Sequence, residues 1–317
     1  MNGTRPSGPV IFVMGPTASG KSSLGLALAE KYPLEIVNAD SVQVYRDFNI
    51  GAAKPTPEEQ QRIRHHLLDQ IALPEIYSAD QYRQEAWKVI DHCHARGVIP
   101  LFVGGSGLYF RAVERGLAAM PPIDPTLREA IRQEGETLGW AKLHTRLRHY
   151  DPELARRIPE NDSQRIRHAL AVVLSTGMPL SQWQQQQPPP PALTILKLVL
   201  QWPRDWLYRR IESRFEQMLG LGLLEEAKQI WSGGHDRQHP AMKSVGYRQL
   251  FTFFDGSRSL EGAVAWAKQE SRRYAKRQMT WFRDELKSSA VSWNDMTLAF
   301  EKVDDFVRHH GMESRRL

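Results

Sequence analysis

Residues 13–25 read VMGPTASGKSSLG, and within them Gly15, Pro16, Thr17, Ala18, Ser19, Gly20, Lys21 and Ser22 form a G-x-x-x-x-G-K-S run. The run follows an apolar stretch, 10–13, and precedes one rich in alanine and leucine. In a strand–loop–helix context the backbone N–H groups of such a loop make a concave anion site at a helix N-terminus, where the helix dipole also favours negative charge. Lys21 adds a full positive charge and Ser22 a hydroxyl suited to Mg²⁺. The loop is therefore expected to hold phosphate. Whether it spends a nucleotide is a separate question.

Two features bear on that question. The segment PLFVGGSGLY (100–109) runs an apolar strand into Gly104-Gly105-Ser106-Gly107. A routine NTPase ends this strand in Asp or Glu, and no N-K-x-D run is present to read guanine. Both absences count against routine triphosphate hydrolysis. The glycines predict close approach of backbone and a small hydroxyl to a ligand. In EIVNADSVQVYRDFNIGAAKP (35–55), Asp40 and Ser41 stand just past a strand end, where ligand-binding groups gather in α/β sheets. For Asp40 three roles are open: a carboxylate on the Mg²⁺ side of the phosphates, a general base above them, or a cap on the following turn.

Basic clusters supply the other chemistry. NDSQRIRHAL (161–170) places Arg165 and His168 at i, i+3 with Arg167 beside them, and MKSVGYRQL (242–250) mixes Lys243, Tyr247 and Arg248. ESRRYAKRQMTWFRDELK (270–287) interleaves Arg272, Arg273, Lys276, Arg277 and Arg283 with Tyr274, Trp281 and Phe282. Cations for phosphates and aromatics for bases are what RNA recognition uses. A solvated helix face explains any one cluster; three together favour nucleic acid. A net charge of +6 is compatible with a polyanionic partner.

Cys93 is the one cysteine, which excludes an internal disulfide and a cysteine-based zinc site. It reads as a small buried thiol on an amphipathic helix, although His92 and His94 flank it. His65 and His66, placed on a helix, would point about 100° apart and so do not chelate together.

The elements that must carry these residues alternate at first. Strands are expected at 10–14, 34–39 and 98–103, and helices after Lys21 and across 79–96. That alternation predicts an α/β fold: a parallel, P-loop NTPase-like sheet flanked by helices. From about Pro121 the pattern turns helical, with a helix around 163–175, and ends in the Gln/Pro stretch 183–191, which reads as a linker. A strand at 194–202 and basic helices follow. The expected organisation is a core of 1–121 plus 194–317 and an all-helical insertion over 122–193. Apolar content of 41% and charged content of 25% are those of a soluble globular chain, and no run reaches the length of a membrane span. The polar start MNGTRPSG lacks an apolar h-region, so a cytosolic, bacterial protein is expected.

Taken in order, GPTASGKS (15–22), DSVQVY (40–45), GAAKP (51–55), HHLLD (65–69), GGSGLY (104–109), NDSQRIRHAL (161–170), KSVGYRQL (243–250) and RRYAKRQMTWFR (272–283) resemble the bacterial tRNA dimethylallyltransferases, also called tRNA isopentenyltransferases. The resemblance spans nearly the whole chain. It departs at Ser106, where the family usually has threonine, and at Ala52, which stands in a usual Gly-Thr-Ala-Lys-Pro. Ser106 keeps the hydroxyl; Ala52 loses one.

The resemblance implies that dimethylallyl diphosphate alkylates N6 of the adenosine 3′ of the tRNA anticodon, releasing diphosphate. It implies catalytic roles for Asp40 and Ser106, with Ser106 hydrogen-bonding near the reacting amine or the bridging oxygen. Diphosphate would be held by residues 15–22 and Arg214, with Mg²⁺ near Ser22. The tRNA anticodon stem-loop would be held by Asp40, Ser41, Val42, Gln43 and Ser106, by Arg128, Gln164, Arg165, Ile166, Arg167 and His168 in the insertion, by Lys243, Ser244, Val245, Gly246, Tyr247 and Arg248, and by Lys276, Arg277 and Arg283. A cytoplasmic monomer is implied. Eukaryotic relatives add a zinc finger, which one cysteine does not supply. Three rivals remain at this level: a small-molecule kinase, a prenyltransferase acting on free adenine nucleotides, and a non-catalytic RNA-binding regulator.

Overall fold

The computed structural model of the chain describes residues 8–118, 120, 121, 123–186, 193–292 and 295–311. Its strands are β1 (Gly8–Met14), β2 (Leu34–Ala39), β3 (His65–His66), β4 (Ile99–Gly104), β5 (Leu193–Gln201) and β6 (Ala290–Ser292). They form one sheet in the order β3-β2-β4-β1-β5-β6, and every neighbouring pair is parallel. The helices in chain order are α1 (Lys21–Lys31), α2 (Pro57–Arg62), α3 (Ala79–Ala95), α4 (Gly107–Arg115), α5 (Pro125–Leu138), α6 (Trp140–Tyr150), α7 (Pro152–Arg157), α8 (Ser163–Thr176), α9 (Leu180–Gln185), α10 (Arg204–Gly220), α11 (Leu223–Ser232), α12 (Tyr247–Phe254), α13 (Leu260–Trp281), α14 (Leu286–Ser289) and α15 (Met296–His309).

The central strands are apolar on both faces, as parallel strands sandwiched by helices must be. In β1, Val10, Phe12 and Met14 join one core with residues of α3, α4, α11, α12 and α13. Ile11 and Val13 point the other way, into a core shared with α1 and α15. The period of two in one strand thus serves two layers.

The chain divides into two compact units, Met1–Glu114 with Pro191–Leu317, and Arg115–Pro190. The second begins earlier than the expected 122 because α4 ends at Arg115. Within it, α5 to α9 enclose a core of Ile131, Leu147, Ile166 and Leu170. His144 is buried there with Nε2 3.0 Å from Ala155 O and 2.9 Å from Ile158 O. The buried Asp151 carboxylate accepts from Leu154 N (3.0 Å) and Ser181 N (2.9 Å), tying α7 to α9.

Two expectations change. His65 and His66 are not helical; they form the edge strand β3, where Ile36 N donates to Arg64 O at 3.0 Å. Helix α9 takes Trp183, Gln184 and Gln185 out of the expected linker, and residues 187–191 of that stretch lie outside the described residues.

Candidate active site

Strand register builds the site. Met14 stands opposite Gly104, and Ala39 stands opposite Gly104 from the other side. The carboxyl ends of β1, β4 and β2 are therefore level, and the residues that follow them, Gly15, Gly105 and Asp40, emerge side by side. The chain places β1 and β2 first and then inserts β4 between them. This is the reversal in strand order beside which α/β sheets bind ligands.

The loop after β1 leads into α1, whose first N–H groups have no intrahelical acceptor. Its shape is held from outside. Ala18 has φ 62°, a left-handed conformation costly for a residue with a Cβ, which persists only where neighbours over-determine it. Arg210 Nε donates to Ala18 O at 3.0 Å, and Trp202 Nε1 donates to Ser19 O at 2.7 Å. Thr17 N donates to Gln278 Oε1 at 2.8 Å. Lys21 Nζ donates to Pro16 O at 3.2 Å, a bond it can exchange for a phosphate oxygen.

Asp40 is fixed as firmly. The buried Asn38 side chain accepts from Asp40 N (2.9 Å) and donates to Asp40 O (3.0 Å). One Asp40 carboxylate oxygen accepts from Val42 N at 2.9 Å, so the residue does cap its turn. Its second oxygen accepts no hydrogen bond from a described residue.

Two cavities meet over these groups, sharing Thr17, Asp40, Ala52, Arg214 and Tyr274 as a common wall. The smaller, about 100 Å³, is lined by Lys21, Ser22, Gln43, His65 and Gln278. The larger, about 330 Å³, has an apolar side from α10 and α11 (Ile211, Phe215, Met218, Leu223) and a polar side from Ser41, residues 243–247 and Arg277.

Charge concentrates at the wall. Burial pulls the Lys21 ammonium down to about 8; Arg214 pulls the same way and Asp40 opposes both. Burial lowers Arg214 too, against Asp40. Burial first, and then the Asp40 charge, hold the Tyr274 phenol well above its ordinary value. The Asp40 charge thus acts on Lys21, Arg214 and Tyr274 across the junction of the cavities.

The other expected residues are placed as follows. Ser106 lines neither cavity. It accepts from Ser41 N at 3.0 Å, because the register of β4 against β2 brings 106 level with 41. It therefore holds the Asp40 segment. The glycines beside it serve protein neighbours: a Cβ at Gly105 would stand 2.2 Å from Gln278 Nε2, and one at Gly107 2.0 Å from Trp281 Nε1.

Gln43 donates to Ala52 O and Ala53 O, both at 3.0 Å, closing the 43–53 loop. Lys243, Ser244, Val245 and Gly246 line the larger cavity. Tyr247 lines the same cavity with a buried ring, packed against Phe48 and with its hydroxyl on Glu226. Ile166 is likewise interior, in the core of the helical unit, while Gln164 and Arg165 are exposed on the same helix. Arg128 and Arg167 lie close enough to His168 to join burial, the larger cause, in lowering its basicity. Arg248 reaches Glu270 at 3.6 Å. Lys276, Arg277 and Arg283 are exposed, whereas Arg272 is tied to Glu212 between α10 and α13.

For a divalent cation, Ser22 offers a hydroxyl in the smaller cavity beside Lys21 and the Asp40 carboxylate. Hard oxygen donors beside a phosphate site suit Mg²⁺. Among the described residues one group of His, Cys and carboxylate has metal-ligand spacing: Glu35, His66 and Cys93. Its carboxylate is already engaged. Burial would raise Glu35, but hydrogen bonds from Arg96 (2.5 Å) and His66 (2.7 Å) hold it at about 2. Burial lowers His66 despite that partner and pushes the Cys93 thiol up to about 11.

A sequence model described as IPP transferase matches residues 43–285. The chain is 50% identical over 277 residues to a tRNA dimethylallyltransferase of Magnetococcus marinus, covering 86% of this chain and 90% of that protein. Among solved structures, the tRNA isopentenylpyrophosphate transferase of Bacillus halodurans superposes with a TM-score of 0.67 at 31% identity, over 96% of this chain and 99% of that one. A eukaryotic dimethylallyltransferase described as acting on tRNA superposes with a TM-score of 0.80 at 25% identity, over 98% of this chain and 82% of that one.

Proposed function

The chain belongs to the IPP transferase family, and from that premise we propose that it is a tRNA prenyltransferase moving the dimethylallyl group of dimethylallyl diphosphate to N6 of the adenosine 3′ of the anticodon. The observation that carries the reading is the common wall of the two cavities, where Asp40 faces Lys21 and Arg214.

The smaller cavity takes the diphosphate and the larger takes the prenyl chain, on its apolar side, together with a base turned out of the anticodon loop. The N6 lone pair attacks C1 of the dimethylallyl group. The C1–O bond breaks, and its electrons leave with the diphosphate. Lys21, Arg214 and the N–H groups at the start of α1 stabilise the charge that develops there. Asp40 takes the proton from N6 with the carboxylate oxygen that Val42 leaves unengaged. Ser106 acts at one remove, by holding Ser41 and with it the Asp40 segment. Ser22 would hold Mg²⁺, which supplies further neutralisation of the leaving group.

Arg128, Arg165 and Arg167 in the helical unit, with Lys243, Lys276, Arg277 and Arg283 in the other, are proposed to hold the tRNA backbone. A monomer is proposed as the active form. No helix among the described residues is long and apolar enough to cross a membrane, and tRNA as substrate supports a cytoplasmic site of action.

The test is incubation with unmodified tRNA, dimethylallyl diphosphate and Mg²⁺ in the absence of nucleotide, followed by mass spectrometry of the digested tRNA. Prenylated adenosine is expected. Its absence, or a requirement for ATP, would favour the kinase reading.

A further inference from the structure

Gln278 lies on α13 in the same helical row as Tyr274, four residues earlier, so both face the sheet edge. Its side chain is buried and bridges two loops that the chain places far apart. Oε1 accepts from Thr17 N of the phosphate loop at 2.8 Å, and Nε2 donates to Gly105 O after β4 at 3.0 Å. Glycine at 105 is what admits it, since a Cβ there would stand 2.2 Å from Nε2. The next residue, Ser106, holds Ser41 beside Asp40. One amide thus joins the loop that grips the leaving group to the turn that sets the proton acceptor.

Resting on the function proposed above, we propose that Gln278 is a positioning residue for prenyl transfer: its bridge between Thr17 and Gly105 sets the phosphate loop in register with the Ser106–Ser41–Asp40 chain. Its role in the bridge is exerted through Thr17 and Gly105, the two backbone groups its amide holds. The bridge needs one acceptor and one donor on the same planar end group, which glutamine provides in a single orientation. A glutamate there keeps the acceptor for Thr17 but sets a carboxylate oxygen against the Gly105 carbonyl. A protonated glutamic acid restores the donor in almost the same shape. Burial raises a carboxyl group's pKa, up to about 8–9 in documented cases. The bridge in Gln278→Glu is therefore switched by pH, while in Gln278→Leu it is missing at every pH.

The experiment measures kcat/KM for dimethylallyl diphosphate, and KM for tRNA, in wild type, Gln278→Glu and Gln278→Leu from pH 5.5 to 9, with thermal unfolding to confirm that each variant is folded. Each value is taken relative to wild type at the same pH, which cancels the titration of Lys21. Gln278→Glu is expected near wild type at the acid end and to fall about 10- to 100-fold as pH rises, the scale of a small misplacement of catalytic groups. Gln278→Leu is expected to stay low throughout, with KM for tRNA changed less than twofold in both. A ratio for Gln278→Glu that does not change with pH, or a folded Gln278→Glu inactive at the acid end, overturns the assignment. So does a Gln278→Leu with wild-type kinetics, or a loss seen equally in KM for tRNA. Wild type serves as the separate control: failure to form prenylated adenosine would refute the proposed function, whereas turnover with a flat ratio would refute the role of Gln278 alone.

Discussion

The carboxyl edge of the sheet and the 115–190 helical unit both present charged residues, but they hold them differently. At the sheet edge, Asp40 is bracketed by the buried Asn38, and the phosphate loop is held by bonds from Arg210, Trp202 and Gln278. In the helical unit, the exposed Arg165 side chain pairs with Asp162 at 3.1 Å, the cap three residues before it at the start of its own helix. Arg132 sits between Glu129 and Glu136 in the same manner. The two constructions suit two tasks. Bond-making needs groups fixed before the reaction begins, since preorganised charge incurs no reorganisation at that moment. Gripping an RNA backbone needs several solvated cations, each contributing a modest and salt-sensitive share.

Substitutions at the sheet edge should therefore act on turnover and those in the helical unit on affinity. The largest effect is expected at Asp40. Asp40→Asn should lower kcat by at least about 100-fold, within the range of a lost general base, with tRNA affinity by filter binding changed less than about twofold. A matching loss of tRNA affinity would break the contrast.

Lys21 comes next. Lys21→Met should cost about 100-fold in kcat/KM for dimethylallyl diphosphate. Wild type carries a pH signature as well. The ammonium is charged below about 8 and neutral above it, so kcat/KM should be greatest below that value and fall as pH rises through it. Lys21→Arg should retain part of the activity and lose that descending limb.

Tyr247→Phe tests a buried residue on the wall of the larger cavity. Removing the hydroxyl leaves the Glu226 carboxylate without that donor and should destabilise the fold by about 1–3 kcal/mol, read by denaturant unfolding. tRNA affinity should be kept. The smallest effects are expected at Arg128→Ala and Arg167→Ala. Each should weaken tRNA binding a few-fold and reduce the slope of log Kd against log salt by about 1, with kcat at saturating tRNA unchanged.

What was legible in the sequence follows the same division. The phosphate loop, Asp40 and the glycine-ended strand are short contiguous runs, and the strands that position them have clear apolar patterns. The partners that lock the loop were missed because they lie 183, 192 and 261 residues away in sequence, at Trp202, Arg210 and Gln278. No local pattern marks them. Ile166 stands inside the RNA-facing run 164–168 yet is interior, and Tyr247 combines a place on the cavity wall with core packing; a period that marks both as buried is present in the sequence. Ile166, Ala169, Leu170 and Val173 recur at i, i+3, i+4 and i+7 and are all buried, as are Tyr247, Leu250 and Phe251 at i, i+3 and i+4. The strand of His65 and His66 offered nothing to read, since two residues cannot show a period.

The central claim is that the loop holds a leaving diphosphate and spends no nucleotide. Its most direct test counts the phosphate products released per prenylated adenosine, with tRNA, dimethylallyl diphosphate and Mg²⁺ and no nucleotide added. One diphosphate and no orthophosphate are expected for each adenosine modified. Orthophosphate release in step with turnover, or no turnover until ATP is added, would contradict the claim.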